Sequence, residues 1–415
     1  MPPRVLMRPG TLVQWCVAAC LAALCSFPAQ ASPRVCKAPM AEADTPSACF
    51  SDQLRRTMGR RVSVETPPAH ELFYIAMALT PAAEASKGLI RTDTPYHRAV
   101  LKHFARWRDD PFVDDLQAML SADLAAHMEP KINAAAYDLK PDGRLKKRPQ
   151  YTWIRGDHDS FAPLIADAER FARRSSFGSF YRSAASRATN ADARTFYEDE
   201  ADLPRMLEWL GAQFPDVAPY DHIRVVVSPL TAGWQHQDTV RDGAFRELIL
   251  NVDFRSDQDF GPKARKAPLF RSFILFTELN HGSINPMGER YEREIRAALA
   301  PRMSLYNSNL IASAYNTPET LFLEYLNWGL IPLYACDTLS ADDCAAFEQL
   351  TRDNMAARGE FPRYAEFQAF LLQLYRSRSA QQTLSDRFPE IIQWFAADLP
   401  SGGGRQSETP RAALE

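Results

Sequence analysis

Several signatures of familiar chemistry are missing from this 415-residue chain. There is no glycine-rich phosphate loop and no G-x-S-x-G turn, so neither a nucleotide cradle nor a serine nucleophile elbow is expected. No internal repeat is present, which sets aside solenoids and propellers. No C-x-x-C occurs, so the cysteines do not read as a metal knuckle. A formal charge of -3 supplies no global attraction to nucleic acid or anionic lipid. The one basic run, GRLKKRPQ from Gly143 to Gln150, lies beside Pro and Gly and holds no aromatic ring to stack a base, so it reads as a solvated loop. Beyond the N-terminal segment no stretch reaches the roughly 20 uninterrupted apolar residues that span a bilayer.

What is present first is an export leader. MPPRVLMRPG carries two arginines and no acid, TLVQWCVAACLAALCSF is apolar throughout, and Ala29-Gln30-Ala31 has the A-x-A cleavage pattern. Residues 1–31 are expected to leave as a signal peptide, giving a secreted or periplasmic chain from Ser32. An uncleaved anchor competes with this reading. Lipidation at Cys20 is a third, opposed by the apolar residues that follow it. Of seven cysteines, three leave with the leader, and Cys36, Cys49, Cys336 and Cys344 remain. An even number in an exported chain suggests two disulfides. Of the three possible pairings, Cys36–Cys49 with Cys336–Cys344 closes two short loops.

Residues 32–65 read as an irregular, disulfide-tied lead-in. From Glu71 the pattern is helical through ELFYIAMAL, YHRAVLKHFARW, DPFVDDLQAML and on to DLPRMLEWLGAQF, a helical front section over 66–215. At Asp221 the composition changes. HIRVVVSPL and FRELILNVDF read as strands, with TAGWQHQDTVRDG as the loop between them. The helix LFRSFILFTELNH follows, opened by Pro268 and expected to end at Gly282 and Asn285-Pro286. Further helices run to about residue 400, and the tail 401–415 is expected to be disordered. The fold expected is α+β, helix-rich, with a small sheet preceding the site helix and 66–400 forming one unit.

Two polar pairs stand out on greasy helices. Glu278 and His281, at i and i+3, share a face of a helix that is otherwise very apolar. A buried carboxylate costs several kcal/mol unless something pairs with it. A metal ion, a mutual pair, or a buried arginine would each serve. In TLFLEYLNWGLIPLY the only charge is Glu324, with Asn327 on the same face one turn on. That pair reads either as a hydrogen-bonded couple fixing helix register or as a ligand carboxylate from a second helix. Two ligands on one helix and a third from a later one, with a position left for water, is the layout of glutamate-ligand zinc enzymes.

FTELNHGSINP resembles the signature of a family of secreted bacterial proteins of unknown function, itself similar to gluzincin zinc metallopeptidases. Many members read H-E-F-x-H-x-x-x-N-P there, and a subgroup carries T-E-I-D-H-x-x-x-N-P. AHELFYIAMALT, TPYHRAVLKHFARWRDDPFVDDL, VVVSPLTAGW and FLEYLNWGL resemble further family segments, although Asp110 stands where histidine is usual and the arginine of E-x-L-x-R is absent. The resemblance spans most of Val64 to Tyr334. It implies a zincin-like fold, zinc as cofactor, Glu278 as general base, and His281 and Glu324 as ligands. Thr277 departs from the pattern, since a hydroxyl is a poor zinc ligand at neutral pH. His236, in GWQHQD, is then the candidate for the vacant corner, because in a zincin that sheet edge borders the cleft. Trp234 beside it and Asn327 are candidates for contacting substrate. The function so implied is a metallopeptidase-like hydrolase acting on a peptide or protein through a metal-activated water. The rival is an inactive binding protein on the same scaffold, in which Glu278, His281, Glu324 and Asn327 form a polar network in place of the metal.

Overall fold

The computed structural model describes residues 48–58, 62–86, 88–92, 94–254, 267–310 and 313–397. The chain divides into Met1–Val35, which lies outside the described residues, and a compact unit, Cys36–Glu415. This unit is helix-rich α+β, built around a four-stranded mixed sheet in the order β1-β4-β6-β5. The strands are β1 (Val62–Glu65), β4 (His222–Val227), β5 (His236–Asp242) and β6 (Phe245–Val252). β1, β4 and β6 run parallel, and β5 returns antiparallel on β6 through a turn at Gly243, whose φ is +59°. A separate hairpin pairs β2 (Tyr137–Leu139) with β3 (Leu145–Lys147).

All but β4 and β6 depart from the sequence reading: the β2–β3 hairpin lies within the front section read as helical, with β3 in the basic run read as a loop. β1 falls in the lead-in expected to be irregular. VSVE is too short to signal a strand by itself, and its pairing partner β4 lies far along the chain. β5 falls in the segment read as a loop. Its residues are mostly polar because it is an edge strand, so it lacks the apolar alternation that marks the interior of a sheet.

The pleat sorts side chains onto two cores. One face of the sheet, with Val226, Val240 and Ile249, packs on the Pro68–Met77 helix and its neighbours. The other face, with Val225, Leu248 and Leu250, packs on the later helices. Chief among these are the site helix, Leu269–Arg290, and a second helix, Pro318–Thr338. Covered on both faces, β4 is buried along its whole length.

The site helix does not end at Gly282. It continues through Pro286 to Arg290. Proline at 286 cannot donate to the Gly282 carbonyl one turn back, and the Tyr220 hydroxyl supplies that bond instead at 3.2 Å. Gly282 itself permits the close approach. A β-carbon there would sit 3.0 Å from both Leu248 Cδ2 and Tyr220 Cε2.

Cys336 and Cys344 form a disulfide across the end of the second helix. Cys49 is also disulfide-bonded, and its expected partner Cys36 lies outside the described residues. Among the described residues no helix is long and apolar enough to cross a membrane. The leader and the tail lie outside the described residues.

Candidate functional site

A cleft of about 340 Å³ opens between β5 and the site helix. Gln237, Asp238, Thr239 and Arg241 line one wall; His281, Asn285, Pro286 and Glu289 line the other; Arg155 and Tyr220 complete it. The Tyr220 hydroxyl reaches both walls, 3.3 Å from Thr239 Oγ1 and 3.2 Å from the Gly282 carbonyl.

β5 is the outer strand of the sheet beside this cleft, and among the described residues only part of its outer backbone is paired. In an antiparallel pair the N–H and C=O of one residue point to the same side, and successive residues alternate. The Arg241 carbonyl accepts from the Ala48 N–H at 3.0 Å, away from β6. Thr239 and Gln237 therefore also point outward, and neither has a backbone partner on that side among the described residues.

The residues singled out from the sequence are near one another but do not gather on one point. His281 Nδ1 lies 3.1 Å from Asn285 Oδ1, one turn along, and Nε2 lies 3.1 Å from Asn327 Nδ2. An amide NH₂ can only donate, so Nε2 accepts and Nδ1–H donates. The ring is thus held neutral, and burial lowers its pKa. Asn327 is buried and is itself approached by Asn280 Nδ2, at 3.3 Å from its carbonyl. It belongs to this network and does not line the cleft.

Glu324 is held by a cation that the sequence reading did not name. Its Oε1 accepts from Arg358 at 2.6 Å and from the Trp328 indole N–H at 2.9 Å. Arg358 ends the Ala341–Arg358 helix, before Gly359 at φ +67°. Its guanidinium sits among three rings, 5.1 Å from Tyr315, 5.7 Å from Trp328 and 4.9 Å from Phe361. Burial pushes the Glu324 carboxyl up, but Arg358, His281 and the two hydrogen bonds outweigh it and leave the pKa below the usual range.

Among the described residues Glu278 has no such partner. Its one side-chain hydrogen bond to them is a weak one from Thr277 Oγ1 at 3.3 Å, and that hydroxyl also lies 2.7 Å from the Ile274 carbonyl. Burial, then the neighbouring charges of Glu324 and Asp238, raise its pKa to about 8. A carboxyl raised this way is neutral in both folded and unfolded states at low pH. Between its unfolded value of 4.5 and about 8, the unfolded chain's carboxyl ionises while the folded one stays protonated, so stability falls as pH rises. Glu278→Gln should therefore gain on the wild type as pH rises through that window, by a few kcal/mol at its upper end. Thermal melts of both proteins at several pH values test this, and a difference independent of pH would contradict it.

His236 lies on the wrong face to meet His281. β5 pairs His236 with Asn251, Asp238 with Ile249 and Val240 with Glu247, and this row faces the core of the Pro68–Met77 helix. Gln237 and Thr239 face the site helix instead. His236 is buried with neither ring nitrogen hydrogen-bonded, 3.8 Å from Asp238 Oδ2, and burial with the charge of Lys131 depresses its pKa. Trp234 does not line the cleft either. Its backbone is left-handed (φ 59°), its carbonyl accepts from the fully buried Lys131 ammonium at 2.8 Å, and its exposed ring packs edge-on against His127.

Zinc needs three or four ligand atoms around one centre. Among the described residues only Cys336, Cys344 and Glu348 bring three such atoms within 4.8 Å of one another. The two sulfurs there are bonded to each other, which leaves no thiolate. Glu278, His281, Glu324 and His236 do not meet that spacing. Glu324 is already neutralised by Arg358, and the His281 lone pair is taken by Asn327. The residues present do not fit a zinc ion. Tyr220, Arg155 and Arg358 complete the site, and the sequence carries no motif for them; a buried Glu324 demands a cation without saying which. No protein-family model, curated protein or solved structure matches the chain.

Proposed function

We propose that this protein is an exported polypeptide-binding protein on a zincin-like scaffold, with a polar network and a fixed ion pair in place of a metal centre. The carrying observation is the Glu324–Arg358 pair, 2.6 Å apart and enclosed by three aromatic rings. A carboxylate so engaged is not waiting for a cation. The order of elements supports the scaffold: a mixed sheet with an antiparallel edge strand, the helix of Glu278 and His281, then a later helix bearing Glu324. The outer edge of β5, where Gln237 and Thr239 have no backbone partner among the described residues, supports the ligand class, since an extended peptide gains main-chain hydrogen bonds by adding to such an edge. The Cys336–Cys344 disulfide and the leader support an extracytoplasmic location.

A metal-dependent hydrolase is the second reading, and the Glu278 carboxyl, one turn before His281 and without a cation partner among the described residues, favours it. Elemental analysis separates the two. Mature protein dialysed against zinc and then buffer should hold far less than one zinc per chain, and its melting temperature should not respond to a chelator. Near-stoichiometric zinc together with a chelator-sensitive melt would reinstate the hydrolase.

A further inference from the structure

We propose that a second concavity, remote in sequence from the site helix, binds a phosphate or sulfate group. It has a volume of about 250 Å³ and lies where the β2–β3 turn meets the corner between the Ile165–Arg174 and Phe177–Tyr181 helices. Lys140, Arg173 and Arg182 line it, with the hydroxyl-bearing Ser176 and Ser179. Three cations from three separate elements thus line one hollow, and their summed field favours an anion there.

Among the described residues, acids engage this group only at Arg173. Asp142 lines the same hollow, but Arg144 already holds it, with Nε at 2.6 Å from Oδ2 and the backbone N–H at 3.1 Å from Oδ1. Glu169 meets Arg173 only at 3.5 Å, while its other oxygen takes the Leu145 N–H at 2.8 Å. Among the described residues no carboxylate pairs with Lys140 or Arg182. In the nearby basic run, by contrast, Lys147 donates to the Thr152 carbonyl, and Arg148 pairs with Glu65 and Asp138.

The two arginines are also pre-ordered by glycines. A β-carbon on Gly143, at φ +82°, would lie 2.5 Å from Arg173 Cγ, so that stem rests directly on the turn. A β-carbon on Gly178 would lie 3.2 and 3.3 Å from the two terminal nitrogens of Arg182, which folds back over the helix into the hollow. A fork held in place loses less entropy on meeting an oxyanion, and guanidinium groups match such anions with paired hydrogen bonds.

The test uses the mature protein with inorganic phosphate and, separately, O-phosphoserine, titrated by calorimetry at low salt. Binding of either probe is expected, and it should weaken as salt rises. Equal affinities identify a free oxyanion as the ligand; tighter O-phosphoserine identifies a group carried on a larger molecule. Lys140→Gln with Arg182→Gln should weaken binding by about tenfold or more. Gly178→Ala should weaken it too by pushing the Arg182 fork aside, while the melting temperature holds or rises because alanine favours a helix. Lys146→Gln, an exposed change on the same hairpin but outside the hollow, should leave affinity unchanged. No binding of either probe, or equal losses from Lys146→Gln and from the double variant, would overturn the proposal.

Discussion

Replacing Arg358 with alanine is expected to destabilise the protein by about 2–4 kcal/mol, and more than Glu324→Ala does. Breaking a buried pair is costly mainly through the charge it strands. The two partners are unequally buried: the Glu324 side chain is 5% exposed and that of Arg358 30%. Without Arg358, an acid among apolar residues keeps the Trp328 N–H but loses its cation, with the Glu278 carboxyl in its neighbourhood. Without Glu324, the guanidinium keeps its three rings and reaches water. The loss from Arg358→Ala should also shrink in acid. The wild-type Glu324 pKa lies below its ordinary value, so the pair stabilises above that value and its contribution is lost as pH falls through the folded pKa. Glu324→Gln added to Arg358→Ala should recover part of the loss, because it removes the stranded charge. Melts of the wild type, Arg358→Ala, Glu324→Gln and the double variant close a double-mutant cycle, with Glu324→Ala measured beside them. Equal single-mutant losses, or losses that disappear on adding chelator, would point away from a resident ion pair.

The sequence made some of this legible and left other parts hidden, for physical reasons. Glu324 stood out because a lone charge on an apolar helix needs a partner, and the two readings offered, a hydrogen-bonded couple with Asn327 and a metal ligand, were both chemically sound. Going beyond them required knowing that the end of a later helix folds Arg358 onto it, and a single arginine at a helix terminus carries no such signal. The pairing of His281 with Asn285 follows from helical spacing, but the contact of His281 with Asn327 on the second helix does not. His236 shows the opposite failure. Its nearness to the cleft in sequence suggested a ligand, yet placement by one residue on a strand decides which face a side chain sees. Because β5 itself read as a loop, that alternation could not be applied. Asn285-Pro286 resembled a helix stop, and only the Tyr220 hydroxyl, supplied from just before β4, explains why the helix runs on.

Thr239→Pro is the substitution expected to abolish polypeptide binding while sparing the fold. Proline in a sheet removes one N–H, which matters only if that N–H is in use. At position 239 the backbone points away from β6, so the β5–β6 ladder keeps its hydrogen bonds. The residue before a proline is restricted to extended backbone, which Asp238 already occupies within β5. The lost Thr239–Tyr220 contact is a long one at 3.3 Å, and Tyr220 keeps the Gly282 carbonyl. The incoming strand, by contrast, loses the central donor on its edge and meets the pyrrolidine ring. One main-chain hydrogen bond contributes about 0.5–1.5 kcal/mol, and the steric block adds to it, so a drop of tenfold or more is expected. Peptides selected on the wild-type protein from a random displayed library supply the probe. They should bind Thr239→Val, which keeps the N–H, and fail on Thr239→Pro, with both variants melting close to wild type. Val240→Pro, whose N–H points to β6, should instead lower stability. If the selected peptides bound Thr239→Pro as well as wild type, strand addition would be the wrong mode of recognition and the cleft would have to engage its ligand through side chains alone.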